Sequence, residues 1–151
     1  MTMIPSPAAL REEAVFLTLT VAGQWCAVPV LAVRDVLGPH AITRIPLARG
    51  EVAGSLNLRG RIVTALDLRL RLGLPPREAQ AQPMSVVVEQ GGELYALLVD
   101  QVGEVMPLPA AGFAPHPPTL DPLWREASDG VHRQEDRLVI LLDVGRVLAI
   151  G

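Results

Sequence analysis

The chain reads FLTLTVAGQWCAVPV over residues 16–30 and MSVVVEQGGELYALLV over residues 84–99, and these two stretches decide the fold. In each, apolar and β-branched residues alternate with others on both sides of a glycine-containing pair. This pattern predicts a β-hairpin, in which a tight turn joins two strands. An offset of 69 residues, from Gly23 to Gly92, superposes the two hairpins.

The repeat continues beyond the hairpins. Each hairpin leads into the pattern V-x-x-V-x-[DE]-V, and the same offset places Val36 on Val105. Further along, RIVTALDL at residues 61–68 matches RLVILLDV at residues 137–144, now at an offset of 76 residues. A loop insertion explains the difference between the two offsets. We therefore interpret the chain as an internal duplication, the alternative being chance similarity between hydrophobic strands.

Each half predicts several short strands separated by turns, closing into a small barrel-like sheet. Asp67 and Asp143 each end a strand and are suited to capping a short helical turn. Residues 67–74 (DLRLRLGL) fit either a strand or such a helix, and a short amphipathic helix also fits residues 30–37.

Two segments outside these strands are rich in turn-forming or polar residues. Residues 75–83 (PPREAQAQP) predict a polar hinge between the halves. Residues 107–122 contain six of the 14 prolines, which predicts an irregular surface loop.

Composition excludes several classes of function. Half of the residues are hydrophobic and 19% are charged, which is typical of a folded domain. A net charge of −3 and an aromatic content of 3% disfavour the alternative of a nucleic-acid-binding barrel. The N-terminus lacks the pattern of a signal peptide, and residues 25–33 are far shorter than the roughly 20 apolar residues of a membrane span. We expect a cytoplasmic protein without direct membrane insertion.

The chemistry-bearing residues form no catalytic or metal-binding motif. Cys26 is the one cysteine, and its apolar strand predicts a buried thiol. His40, His116 and His132 fall in predicted loops or at strand ends, where we expect solvent-exposed side chains. We predict no enzyme activity, no cofactor and no metal. An enzyme that takes a cofactor between the halves is the alternative.

The motif GSLNLRGRIV at residues 54–63 carries the most specific information. Gly60 can adopt a positive φ at a hairpin turn, and Asn57 can hydrogen-bond to nearby backbone. A two-residue turn does not require an arginine, so Arg59 needs a separate account. Arg59 forms either a surface salt bridge of little energetic value or a donor fork for a partner or a nearby carboxylate, with Asp35 a candidate.

Four motifs in order resemble the CheW family of bacterial chemotaxis coupling proteins, which show V-x-[ED]-V, T-R-I-P, N-x-R-G-x-I and D-L-R. In this chain they are residues 33–36, 43–46, 57–62 and 67–69. The resemblance extends over about residues 13–150, and the N-x-R-G block is its specific part.

The resemblance implies one CheW-like domain over residues 13–150, preceded by a flexible segment at 1–12. It implies an all-β (mainly β) fold of two loose five-stranded SH3-like β-barrel subdomains with short helices. Subdomain 1 is expected at about 14–74 and subdomain 2 at about 84–150, and strand exchange between them stays open.

The resemblance also implies a non-enzymatic adaptor that couples chemoreceptors (methyl-accepting chemotaxis proteins) to a histidine autokinase, in receptor arrays at the inner membrane. We expect the receptor's cytoplasmic tip in a groove between the subdomains and the kinase regulatory domain at the barrel ends. The residues expected at partner contacts are Val36, Asn57, Leu58, Arg59, Gly60 and Ile62, with Asp35 as the ion-pair partner of Arg59. A paralogue that scaffolds a different receptor–kinase pathway, for motility or gene regulation, is the alternative.

Overall fold

The structure of the protein is a computed structural model, and it describes residues 15–40, 42–47, 50–78, 80–134 and 137–149. The expected flexible segment at residues 1–12 lies outside these ranges.

The described chain consists mainly of β-strands, which confirms the predicted fold class. The strands are β1 (Val15–Val21), β2 (Gln24–Pro29), β3 (Val33–Leu37), β4 (Val52–Leu58), β5 (Arg61–Asp67), β6 (Met84–Gln90), β7 (Glu93–Val99), β8 (Gln101–Pro107), β9 (Phe113–Ala114), β10 (Ser128–Gln134) and β11 (Arg137–Leu142). The α-helices of the described ranges are α1 (Leu68–Arg71), α2 (Pro122–Glu126) and α3 (Val144–Val147).

The strands form two interlaced sheets. Sheet A has the order β8-β1-β2-β11-β10-β9, and sheet B has the order β3-β6-β7-β5-β4. If each strand of sheet B is replaced by its counterpart in the sequence repeat, the order becomes β8-β1-β2-β11-β10, which is sheet A without β9. Each sheet therefore contains strands from both halves of the chain. The predicted subdomains at about 14–74 and 84–150 are consecutive halves of the sequence, and neither half corresponds to one sheet. Their boundaries stay a prediction.

Two-residue turns close the predicted hairpins. Ala22 and Gly23 have φ values of 53° and 81° in the β1–β2 turn, and Gly91 and Gly92 have φ values of 61° and 84° in the β6–β7 turn. Positive φ at both central positions is characteristic of a type I′ turn, whose twist matches that of the flanking strands. The hairpins predicted from the sequence alternation are thus confirmed.

One hydrophobic cluster joins the two sheets. It includes Leu19 and Val28 of sheet A and Leu66 and Leu97 of sheet B, each at most 2% exposed. Full burial of a leucine or valine contributes about 1.5–3 kcal/mol, so this shared core is the main force between the sheets. Cys26 belongs to the same cluster, as predicted, and burial raises the pKa of its thiol.

Both helix caps predicted from the sequence are present. The carboxylate of Asp67 accepts a hydrogen bond from the backbone N–H of Arg69, and that of Asp143 accepts one from the N–H of Arg146. The segment that fitted either a strand or a helix is therefore helical at Leu68–Arg71.

The short helix that fitted residues 30–37 is a wrong prediction. A single 3-10 turn occupies Val30–Ala32, and the chain then extends as β3 along β6. The β-branched valines of this segment favour a strand, and pairing with β6 outweighs the local helical spacing.

The predicted irregular loop at 107–122 is wrong in part, because Ala110–Gly112 forms a 3-10 turn and Phe113–Ala114 forms β9, which pairs with β10 of sheet A. Leu108 is fully buried, and Nε2 of His132 lies 2.8 Å from the carbonyl oxygen of Pro109. His132 itself is 3% exposed and packs edge-on against Phe113. The expectation that this histidine is solvated was wrong, because its strand faces the covering loop.

Candidate partner-binding site

The turn between β4 and β5 presents Arg59 and Gly60. Their φ values are 51° and 86°, and the N–H of Gly60 donates to Oδ1 of Asn57 at 2.9 Å. The left-handed conformation costs a residue with a Cβ atom about 1–2 kcal/mol. Asparagine or glycine would suit the position of Arg59 better, so the backbone gives no reason for an arginine there.

Arg59 contacts Asp35 across the open side of sheet B. Its Nη2 lies 3.1 Å from Oδ2 of Asp35, which also accepts the N–H of Val36 through its other oxygen. The two end strands of the sheet are β3 and β4, so this contact shows that the sheet curls on itself. The Arg59 side chain is 78% exposed, and such an ion pair contributes about 0–1 kcal/mol. The ion pair adds little stability, and most of the guanidinium remains accessible to solvent and to a partner.

A depression of about 230 Å³ lies beside this ion pair. Leu58 contributes apolar surface to it, and Arg34 donates to Glu89 at its rim over 2.9 Å. Its lining residues are Arg34, Asp35, Leu58, Arg59, Arg61, Val87, Glu89 and Leu94.

A second depression, of about 420 Å³, lies on the other side of the hairpin. Asn57 and Ile62 are cross-strand partners there, and the Ile62 side chain is 72% exposed. Nε2 of His40 lies 3.3 Å from the carbonyl oxygen of Asn57 at the same place. The sequence did not single out His40, because no motif surrounds it.

The structure thus divides the predicted site residues into two groups. Leu58 and Arg59 line the first depression, and Asn57 and Ile62 line the second. Gly60 lies in the turn between them. Val36 lines neither depression and is 39% exposed on β3.

Sheet A carries an equivalent apolar surface that was not among the predicted site residues. The repeat offsets place Val36 on Val105 and Ile62 on Leu138, and these counterparts are 57% and 37% exposed. The two repeat offsets in the sequence could have identified Val105 and Leu138. The N-x-R-G motif occurs in the first half and has no match in the second. The counterparts of Arg59 and Gly60 lie outside the described residues.

Within the described ranges, no group of three or more histidine, cysteine, aspartate or glutamate side chains is arranged to hold a metal ion. No helix in the described part of the chain is long and apolar enough to cross a membrane.

Two interlaced sheets with exposed apolar side chains at equivalent positions define a small, internally duplicated β protein. The chain belongs to the CheW-like domain family, whose model matches residues 15–150.

Similar proteins cover most of the chain. The chemotaxis protein CheW of Helicobacter pylori is 27% identical over 91% of this chain and 83% of its own length. The chemotaxis protein CheW of Klebsiella aerogenes is 28% identical over 89% of this chain and 81% of its own length. Protein PilI of Pseudomonas aeruginosa is 30% identical over 78% of this chain and 66% of its own length.

A solved structure has the same fold. The scaffolding protein TtCheW from Thermoanaerobacter tengcongensis superposes with a TM-score of 0.80 at 26% identity, over 91% of this chain and 94% of that one.

Proposed function

We propose that this chain is a non-enzymatic adaptor that couples chemoreceptors to a histidine autokinase in bacterial chemotaxis signalling. The observation that carries the proposal is the CheW-like domain, which spans residues 15–150. Relatives named as chemotaxis proteins favour this pathway over another receptor–kinase pathway. The adaptor would act on the cytoplasmic side of inner-membrane receptor arrays.

The proposed contacts lie around the β4–β5 turn and on the adjoining strand β3. Exposed Ile62 and Val36 supply apolar anchors, and Arg59 supplies a charged donor fork that fixes the register of a partner. The full set is Val36, Asn57, Leu58, Arg59, Gly60 and Ile62.

The equivalent surface on sheet A suits the adaptor to two partners at once. Ile62 and Leu138 occupy matching positions on different sheets, and both are exposed. Receptor and kinase would then bind different sheets, in place of the groove and barrel-end contacts that the family resemblance implies. The state of one partner would change the binding free energy of the other. No bond is made or broken in this mechanism.

The test is capture of a receptor cytoplasmic fragment and of a kinase regulatory domain by the purified chain. We expect both to bind. Ile62→Ser should weaken one partner, and Leu138→Ser should weaken the other. Arg125→Gln is a control outside both surfaces, because Arg125 of α2 donates to the carbonyls of Pro118 and Leu120 in the loop that precedes this helix. Failure of the folded chain to bind either partner would refute the proposal.

A further inference from the structure

Within the residues that the structure describes, the chain passes between the two sheets at two equivalent places. It leaves sheet A after β2 through Val30–Ala32, and it returns from sheet B after β7 through Asp100. The offset of 69 residues places Leu31 on Asp100, so the two crossovers are counterparts in the repeat. These crossovers are the covalent links between the sheets in the described part of the chain. Val30 and Val99 are identical in them, but Leu31 and Asp100 differ in chemical character.

Asp100 binds sheet A through both its backbone and its side chain. Its N–H donates to the carbonyl oxygen of Thr20 at 3.0 Å, and its Oδ2 accepts the N–H of Ala22 at 2.7 Å. Thr20 and Ala22 belong to β1 and to the β1–β2 turn. The tip of this hairpin is therefore fixed to the point where the chain leaves sheet B.

The same carboxylate binds the sheet B side through Arg69 of α1. Nη2 and Nε of Arg69 lie 2.7 Å and 3.1 Å from its two oxygens, which is the bidentate geometry of a strong arginine–carboxylate pair. Because α1 directly follows β5, this pair joins the crossover to the end of an inner strand of sheet B.

Arg77 adds a second guanidinium from the segment between α1 and β6. Its Nε donates to Asp100 and its Nη1 donates to Asp67, each at 3.0 Å, and its side chain is 10% exposed. Burial by itself would raise the pKa of Asp100, but hydrogen bonds from Arg69, Ala22 and Arg77 outweigh it and hold this pKa at about 2. The carboxylate is thus strongly bound in its charged form.

The counterpart crossover lacks this network. Leu31 stands in the place of Asp100 and is 86% exposed, and Gly145 stands in the place of Arg69. The carbonyl oxygen of Leu31 accepts a hydrogen bond from Arg34, which belongs to the strand that follows in sheet B. Asp100 ties its crossover to sheet A by hydrogen bonds and to the sheet B side by ion pairs, whereas Leu31 ties the other crossover to neither sheet through its side chain.

We infer that Asp100, held by Arg69 and Arg77, is a positioning residue that fixes the placement of sheet A relative to sheet B at this crossover. This inference rests on the proposed function in one respect. If partners bind different sheets, the Asp100 network is the element through which binding at one sheet changes the affinity of the other.

The first test uses the free chain and needs no partner. Spin labels at Glu93→Cys on sheet B and Arg133→Cys on sheet A report the distance between the sheets, and buried Cys26 is protected from labelling. Pulsed electron paramagnetic resonance should give a narrow distance distribution in the labelled parent protein. The distribution should be broader or shifted in the labelled Arg77→Gln and Asp100→Asn variants. Arg125→Gln, which removes a guanidinium that donates to the carbonyls of Pro118 and Leu120 and not to Asp100, should leave the distribution unchanged. An unchanged distribution in both network variants overturns the inference.

The second test measures coupling. The affinity of the receptor fragment is determined with and without the kinase regulatory domain, and the ratio of the two values is the coupling factor, typically about 5- to 150-fold in allosteric proteins. In Arg77→Gln this factor should fall towards 1 while each partner alone binds within about twofold of the parent. Retained coupling contradicts the role of the network. A parent that binds neither partner refutes the proposed function instead, and the distances still decide the positioning role.

Discussion

Replacement of Arg59 by asparagine separates the folding role of this residue from its binding role. Arg59 has a φ of 51° in a two-residue turn, a conformation that asparagine tolerates better than arginine. We expect Arg59→Asn to relieve about 1 kcal/mol of backbone strain. The variant also loses the ion pair with Asp35, which is worth about 0–1 kcal/mol at an arginine exposure of 78%. The free energy of unfolding should therefore stay within about 1 kcal/mol of the parent value.

Binding should respond very differently. A central arginine in an interface contributes about 2 kcal/mol or more, which corresponds to a loss of affinity of about 30-fold. The assay is urea unfolding of the free variant, paired with titration of each partner. Arg59→Ala serves as the comparison, because it loses the same ion pair and keeps most of the strain, so it should be less stable than Arg59→Asn.

The β1–β2 turn, which has the same backbone conformation, provides the control. Ala22 has a φ of 53°, and Ala22→Asn should bring a similar backbone gain with no effect on partner binding. If Arg59→Asn unfolds or loses more than about 2 kcal/mol of stability, Arg59 mainly stabilises the fold. This result would contradict the claim that its ion pair contributes little to folding. Unchanged affinity for both partners would show that Arg59 lies outside the interface.

Three further predictions concern the fold. The pKa of Asp100 is about 2, below its usual 3.8, so its contribution to stability is complete above about pH 5 and is lost as the pH falls through 3.8 towards 2. Allowing for solvent screening, acid unfolding curves should show about 1–2 kcal/mol of this loss in the parent and none in Asp100→Asn. Gly54→Ala should cost more than about 2 kcal/mol, because φ is 150° and the new Cβ would meet the carbonyl of Thr43, whereas Gly91→Ala, in open space, should cost about 1 kcal/mol in the same urea assay. The fully buried thiol of Cys26 should react with a thiol reagent only at the rate of unfolding, and fast reaction in native buffer would contradict its packing.

The repeat made most of the fold predictable. Alternation around Gly23 and Gly92 gave the two hairpins, and Asp67 and Asp143 gave the helix caps, because both signals depend on neighbours in the chain. The interlacing of the halves was not predictable in the same way. It depends on parallel pairing between β2 and β11 and between β5 and β7, and such long-range pairing leaves no local pattern.

The candidate site was predictable only where a motif existed. Asn57 and Gly60 occupy the turn that their residue types require, and Arg59 reaches Asp35. The network at Asp100 was missed, because an aspartate between two apolar strands resembles an ordinary turn residue. Its two guanidinium partners lie 31 and 23 residues away along the chain, so their meeting depends on the fold.

The central claim is that one copy of this chain holds a receptor and a kinase at the same time. Sedimentation of the chain with a receptor cytoplasmic fragment and a kinase regulatory domain tests it most directly. A species with the mass of all three proteins is predicted, and Arg59→Asn should diminish it without unfolding the chain. Two binary complexes that exclude each other, or no complex at all, would contradict the account.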